Sequence, residues 1–188
     1  MPKFKAILSD IDGTLTESEE LHQEAFVRIS KQLGADISNA EAESYRGISL
    51  KDKYASIESR LSDKIGYDAF AARIASYYMK NWQKIDIMPG AKDLIKQAHA
   101  QGVRIGAVTN GTRPEADTNI GALGKDTTDL IEFTISVDDV KRGKPAPDGY
   151  LQGAFRMGIE PKDILVLEDT PTGVAAAKAA GMTVIQIQ

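Results

Sequence analysis

Phe4-Lys5-Ala6-Ile7-Leu8-Ser9-Asp10-Ile11-Asp12-Gly13-Thr14-Leu15-Thr16 is the stretch on which the reading of the chain turns. Its first part is a short apolar run, the length of a buried strand, and it stops at an acidic turn that contains a glycine. The carboxylates of Asp10 and Asp12, with Gly13 letting the backbone bend sharply, can converge on one small volume. An isolated Asp-x-Asp is common, and Asp and Gly are ordinary turn residues. The recurrence of the design lifts this one above turn chemistry. Val103–Val108 runs into Thr109-Asn110-Gly111, and Ile164–Leu167 runs into Glu168-Asp169.

Phe133–Val137 and Thr183–Ile187 read as two further, weaker strands, with helical segments between the strands. Pro89-Gly90 opens a helix with Leu94, Ile95 and Ala98 on one face, and Gly102 closes it. Pro147 starts a second, with Tyr150, Leu151, Ala154 and Phe155 expected inward and Gly158 as its stop. Val174–Ala180 is an alanine-rich helix ending at Gly181. Arg113–Asp126 has so weak an apolar face that only a loose helix is expected there. Strand–helix alternation of this kind implies an α/β fold, a parallel five-stranded sheet covered on both faces. In such sheets the functional crevice lies beyond the carboxyl ends of the strands, where the polar clusters fall.

Residues 17–84 break the alternation. They hold no good strand but several amphipathic helix patterns, the first with Leu21, Ala25, Phe26, Ile29 and Leu33 on one face before Gly34. Ser49 with Asp52 resembles a capping box opening a second helix that carries Tyr54, Ile57 and Leu61. A third runs from Asp68 to Trp82 with Phe70, Ile74, Tyr77 and Tyr78. The expected organisation is an α/β domain formed by 1–16 and 85–188, with 17–84 as an inserted helical domain.

With 188 residues, 42% hydrophobic, the chain is large enough to bury a core and too apolar for disorder. A net charge of −4 argues against a general nucleic-acid binder. The absence of cysteine excludes disulfides, thiolate zinc sites and a cysteine nucleophile. No apolar run approaches the ~20 residues of a membrane helix, and Phe4–Leu8 is too short for a signal peptide. A soluble cytoplasmic protein with neither nucleic-acid nor membrane partners is expected.

Asp10 can serve as nucleophile or metal ligand, Asp12 as proton donor and acceptor, and Asp169, with Glu168 beside it, as a ligand from another strand end. Carboxylates crowded together repel one another unless something compensates. A hard cation does so, and Mg²⁺ prefers carboxylate oxygen, water and phosphate. Lys144 supplies positive charge, and Thr109 and the Asn110 backbone supply hydrogen-bond donors, where a phosphoryl group in transfer would need them. The set points to phosphoryl transfer onto a carboxylate.

Taken together, these motifs resemble the haloacid dehalogenase-like phosphatase superfamily. Within it they resemble the helical-cap subgroup of phosphoglycolate-phosphatase-like and β-phosphoglucomutase-like enzymes. The resemblance spans essentially the whole chain and implies a Rossmann-like core with a helical cap. It implies Asp10 as nucleophile, Asp12 as general acid/base, and Thr109, Asn110 and Lys144 as phosphate binders. It also implies Mg²⁺ held by Asp10, the Asp12 backbone carbonyl and Asp169, with Glu168 nearby. The implied substrate is a small phosphorylated metabolite, a sugar phosphate or phosphoglycolate, and a monomer is expected. In the cap, His22 is a candidate substrate contact beside the plainer alternative of a packed histidine, and Arg46-Gly47-Ile48-Ser49 resembles the substrate-contacting cap loop. Where mutase members carry an arginine after that run, this chain has Leu50, so a phosphatase is expected and a phosphomutase is the alternative. A non-catalytic phospho-ligand or signalling domain is disfavoured, since every catalytic position is filled and the Asp-x-Asp-Gly-Thr run follows the first strand.

Overall fold

The structure, a computed structural model, describes residues 3–45, 48, 50–62 and 65–187. The chain divides into two compact units, Ser18–Lys84 and the combination of Met1–Glu17 with Ile85–Gln188. Among the described residues, no helix is long and apolar enough to cross a membrane.

The unit Ser18–Lys84 is helical. Its helices are α1 (Glu19–Gln32), α2 (Asn39–Ser44), α3 (Leu50–Ile57) and α4 (Tyr67–Lys80). The periodic face of α1 buries Ala25, Phe26 and Ile29 against Phe70 and Ile74 of α4, and Tyr54 and Ile57 of α3 complete the core. Phe26 meets Phe70 edge to face, with ring centroids 6.2 Å apart. The sequence pattern does not disclose α2, whose single turn and a half is too short to display a face. It is started by Ser38, whose side chain accepts from the Glu41 N–H at 3.2 Å. Leu61 lies beyond α3, because a 3₁₀ turn over Glu58–Arg60 closes that helix first. Trp82 likewise sits past the end of α4, in a 3₁₀ turn over Trp82–Lys84.

The second unit is a sheet with helices on both faces. Its strands are β1 (Ala6–Ser9), β2 (Thr16–Glu17), β3 (Asp86–Ile87), β4 (Arg104–Val108), β5 (Thr134–Ile135), β6 (Ile164–Glu168) and β7 (Thr183–Gln186). Its helices are α5 (Ala91–Ala100), α6 (Arg113–Ala122), α7 (Lys125–Thr128), α8 (Asp148–Met157) and α9 (Pro171–Ala179). Five strands run parallel in the order β5-β4-β1-β6-β7. Central β1 places Leu8 opposite Gly106 of β4 and Val166 of β6. A strand with neighbours on both edges and helices above and below must be apolar throughout, which is why Ala6, Ile7 and Leu8 are consecutive. One face packs Leu8, Val108 and Val166 on Tyr150 of α8 and Ala176 and Ala177 of α9. The other packs Ile105 and Ala107 on Ile95 of α5 and Ala116 and Ile120 of α6. Leu8 is fully buried, so its truncation to alanine costs about 2–5 kcal/mol. The short β2 and β3 pair antiparallel, Thr16 opposite Ile87 and Glu17 opposite Asp86.

Two helices differ from the sequence expectation. In α8 the buried stripe is Gly149, Tyr150, Gly153, Ala154 and Met157, and Leu151 and Phe155 point outward, Phe155 being 86% exposed. Two glycines on the inward stripe let the helix lie close to the sheet, a signal invisible to a search for bulky apolar residues. The expected loose segment after Asn110 is instead the regular helix α6, followed by α7. The Thr112 N–H and hydroxyl both donate to Glu115, a capping box at its start. Its apolar face is weak because the buried stripe of Ala116, Asn119 and Ile120 contains an amide.

Candidate active site

Three parallel strands end side by side, and each hands its following residues to one region. Asp10 follows β1, Thr109 follows β4, and Glu168 ends β6. After Asp10 the chain turns tightly: the Leu15 and Thr16 N–H groups both donate to the Ile11 carbonyl, at 2.8 and 3.0 Å, and Gly13 N–H donates to Thr16 O at 2.7 Å. Gly13 has φ +80°, a conformation that costs glycine little. A Cβ there would also stand 2.3 Å from Asp169 Oδ2, so the turn brings bare backbone against that carboxylate.

Lys144, on the loop before α8, uses all three of its ammonium protons. It donates to Asp10 Oδ1, to Glu168 Oε1 and, at 2.9 Å, to the Val108 carbonyl. Its side chain is 5% exposed and that of Glu168 is fully buried. A buried charge is tolerated only with partners, and Glu168 has a full set. Tyr150 donates to Oε1 at 2.8 Å, while the Thr170 hydroxyl and N–H donate to Oε2 at 3.0 and 3.2 Å. The carboxylate lies so close under the first turn of α9 that a Cβ on Gly173 would meet its Oε1 at 1.8 Å. Burial, reinforced by Glu168 and Asp12, raises Asp10 from 3.8 to about 8 despite the opposing pull of Lys144. Burial opposes the charge of Lys144, but the Asp10 and Glu168 carboxylates outweigh it and hold its pKa above the ordinary lysine value. Burial, with the carboxylates of Glu168 and Asp10, pushes the Tyr150 hydroxyl well up, so it remains a donor.

The second carboxylate of the motif has its own holders. The Thr109 hydroxyl donates to Asp12 Oδ2 at 3.2 Å and accepts from Gly111 N–H at 2.8 Å. Asn119 Nδ2, from α6, donates to Asp12 Oδ1 at 2.6 Å. Asn110 spends its side chain on the Lys144 loop: its Oδ1 accepts from Lys144 N–H at 2.7 Å and its Nδ2 donates to Lys144 O at 3.1 Å. The amide therefore holds the Lys144 loop in place.

Tyr150 and Asn119 are members of this network that the sequence reading missed. A tyrosine on an apolar helix stripe reads as core, and an asparagine in a weakly amphipathic segment reads as surface.

Of the expected cap residues, Arg46, Gly47 and Ser49 lie outside the described residues. His22 stacks on Tyr78 of α4, centroids 4.4 Å apart and planes inclined by 27°, within the helical unit.

One carboxylate oxygen each from Asp10, Glu168 and Asp169 lies within 4.8 Å of the others. Asp169 Oδ1 is buried and has no hydrogen-bond partner among the described residues, whereas both oxygens of Glu168 are engaged. Burial, along with Glu168 and Asp12, raises the pKa of Asp169. An all-oxygen donor set with one orphaned carboxylate oxygen fits a hard divalent cation. Asp10 and Asp169 are the available ligands, and Glu168 serves as the tie that holds Lys144.

A family model described as haloacid dehalogenase-like hydrolase matches residues 4–181. The chain is 32% identical over 180 residues to validoxylamine A 7'-phosphate phosphatase of Streptomyces hygroscopicus subsp. limoneus, covering 95% of this chain and 83% of that protein. It is 32% identical over 193 residues to the protein CbbY of Rhodobacter capsulatus, covering 97% and 85%. A crystal structure of a CbbY mutant from Rhodobacter sphaeroides in complex with xylulose-(1,5)bisphosphate superposes with a TM-score of 0.84 at 26% identity, over 97% of this chain and 85% of that one. By sequence match and by fold, with the acidic turn after β1 at its centre, the chain belongs to the haloacid dehalogenase-like hydrolase family.

Proposed function

We propose that the protein is a Mg²⁺-dependent phosphoric monoester hydrolase acting on a small phosphorylated metabolite, of sugar phosphate or phosphoglycolate type, through an aspartyl phosphate on Asp10. The observation that carries this reading is the buried Asp10 carboxylate with Lys144 bound to one oxygen, close to an Asp169 oxygen that has no hydrogen-bond partner among the described residues. The phosphate ester in the name of one relative and the sugar bisphosphate bound to another support the substrate class.

In the first step an Asp10 oxygen attacks phosphorus, the bond from phosphorus to the ester oxygen breaks, and Asp12 gives its proton to the departing alkoxide. In the second, Asp12 takes a proton from the water that attacks the acyl phosphate, releasing inorganic phosphate and restoring Asp10. Lys144 holds Asp10 in place and neutralises charge beside it. The Asn110 backbone N–H is a donor for the phosphoryl oxygens, and the Thr109 hydroxyl becomes a second one by turning its single proton from Asp12 to the bound phosphoryl group. Mg²⁺ would be held by Asp10, the Asp12 carbonyl and Asp169, and would supply charge neutralisation for the phosphoryl group. Within the same proposal, the helical unit 17–84 takes part in substrate selection through His22, Arg46, Gly47 and Ser49.

The test is a screen of phosphate release from phosphorylated metabolites, with Mg²⁺ and with chelator. Metal-dependent release by the wild type and none by folded Asp10→Asn is the expected result. Full activity in Asp10→Asn overturns the nucleophile, and no release from any ester favours a binding module. Conversion of a hexose 1-phosphate to an isomeric phosphate, without free phosphate, makes the protein a mutase.

A further inference from the structure

We propose that Asn119 is a positioning residue that fixes the carboxyl group of Asp12 for proton transfer; this rests on the phosphatase reading above. Asn119 is fully buried in α6, on a stripe shared with Ala116 and Ile120, which pack in the apolar layer with Ile11 and Leu15. An amide in such a layer costs stability unless it is hydrogen-bonded, and an apolar residue would satisfy the packing as well. Its Nδ2 donates to Asp12 Oδ1 at 2.6 Å, and from another element the Thr109 hydroxyl donates to Oδ2 at 3.2 Å. Before substrate binds, each carboxyl oxygen thus has a donor of its own, and Asn119 is the one that stays when the Thr109 hydroxyl turns to a phosphoryl oxygen. Rotation about the bond that carries the carboxyl group breaks both hydrogen bonds, and each oxygen keeps a second lone pair for the transferable proton.

The donor is itself held still. The Thr112–Glu115 capping box fixes the first turn of α6. Arg113 N–H donates to Asp138 Oδ2 at 2.7 Å, and its guanidinium donates to the Thr134 carbonyl of β5 at 3.0 Å. Asn119 therefore reaches Asp12 from an element braced at its origin, which is what a positioning group requires.

The role predicts a dependence on the leaving group. In the transfer to an alkyl ester, the Asp12 O–H bond breaks as the alcohol O–H bond forms, and the phosphorus–oxygen electron pair stays with the leaving oxygen. A nitrophenolate departs without that proton. The experiment measures kcat/KM for the wild type, Asn119→Leu and Asp12→Ala on alkyl phosphates (glucose 6-phosphate, glycerol 3-phosphate and phosphoglycolate) and on p-nitrophenyl phosphate. A rapid-mix trace of nitrophenolate release and a thermal melt accompany it. For Asn119→Leu, kcat/KM on the alkyl esters is expected to fall about 10- to 100-fold, part of the usual general-acid contribution, and on p-nitrophenyl phosphate by less than about threefold. A nitrophenolate burst is also expected, because the second step still needs Asp12 as base. An equal fall on both ester classes, or no fall on either, makes Asn119 a packing residue and overturns the proposal. If Asn119→Leu does not fold, Asn119→Ser decides by the same criteria. If the wild type hydrolyses no ester, or Asp12→Ala shows no leaving-group dependence, the parent reading fails before Asn119 is at issue.

Discussion

Tyr150→Phe isolates one hydrogen bond. The phenylalanine ring fills the same space and keeps the approach of Lys144, whose Nζ lies 5.2 Å from the ring centroid, so only the hydroxyl is lost. That hydroxyl donates at 2.8 Å to Glu168, a fully buried carboxylate with no access to replacement solvent. A hydrogen bond to a charged group contributes about 1.5–3 kcal/mol. At about 2–4 °C per kcal/mol for a chain of this size, the melting temperature falls by about 3–12 °C. Tyr77→Phe is the matched control, since its hydroxyl also donates to a glutamate at 2.8 Å, but Glu24 is 35% exposed and holds Lys84 as well. Water can take the place of the lost donor there, and the cost is less than about 1 kcal/mol. Thermal unfolding of the two variants by circular dichroism checks both values. A Tyr150→Phe protein melting with the wild type, or a larger shift from Tyr77→Phe, refutes the argument that burial sets the strength of the Glu168 network.

Gly173→Ala puts a methyl group where the Glu168 carboxylate already is, 1.8 Å from Oε1. Displacing that carboxylate from Lys144, Tyr150 and Thr170 is expected to cost about 3–5 kcal/mol, measurable by urea unfolding, and a variant of wild-type stability would show that Glu168 has another resting place. Because burial raises Asp10 from 3.8 to about 8, a cation must displace its proton. Mg²⁺ affinity is expected to weaken by up to about tenfold per pH unit below that value, and titration calorimetry giving a flat affinity between about pH 6 and pH 8 refutes it. The sign for the metal-free protein is opposite to that of a salt-bridged aspartate. The native state keeps a proton that the unfolded chain releases, so Asp10 makes the protein less stable as pH rises from about 4 to about 8.

The sheet was legible because its strands carry an unmistakable signal. Runs such as Ala6–Ser9 and Ile164–Glu168 are buried on both sides and end at polar residues that cannot continue them. The convergence of Asp10, Lys144, Glu168 and Asp169 follows from that topology, since parallel strands deliver their carboxyl ends to one edge. The supports were not legible. Tyr150 fills a core position as phenylalanine would, and only coordinates show its hydroxyl on Glu168. Asn119 weakened the very pattern used to detect its helix. The inward face of α8 was misassigned because Gly149 and Gly153 contribute closeness without contributing hydrophobicity. Sequence periodicity reports bulk, and these features depend on hydrogen bonds or on the lack of a side chain.

The antiparallel pair of β2 and β3 brings Glu17 and Asp86 opposite each other, so the chain leaves the sheet unit and returns to it at adjacent rungs. The intervening stretch is, from the standpoint of the sheet, a loop whose ends are already joined. Doubling the length of such a loop adds only about 0.6 kcal/mol of closure entropy. A lineage can exchange, enlarge or trim this module while the acid-bearing turn keeps its shape.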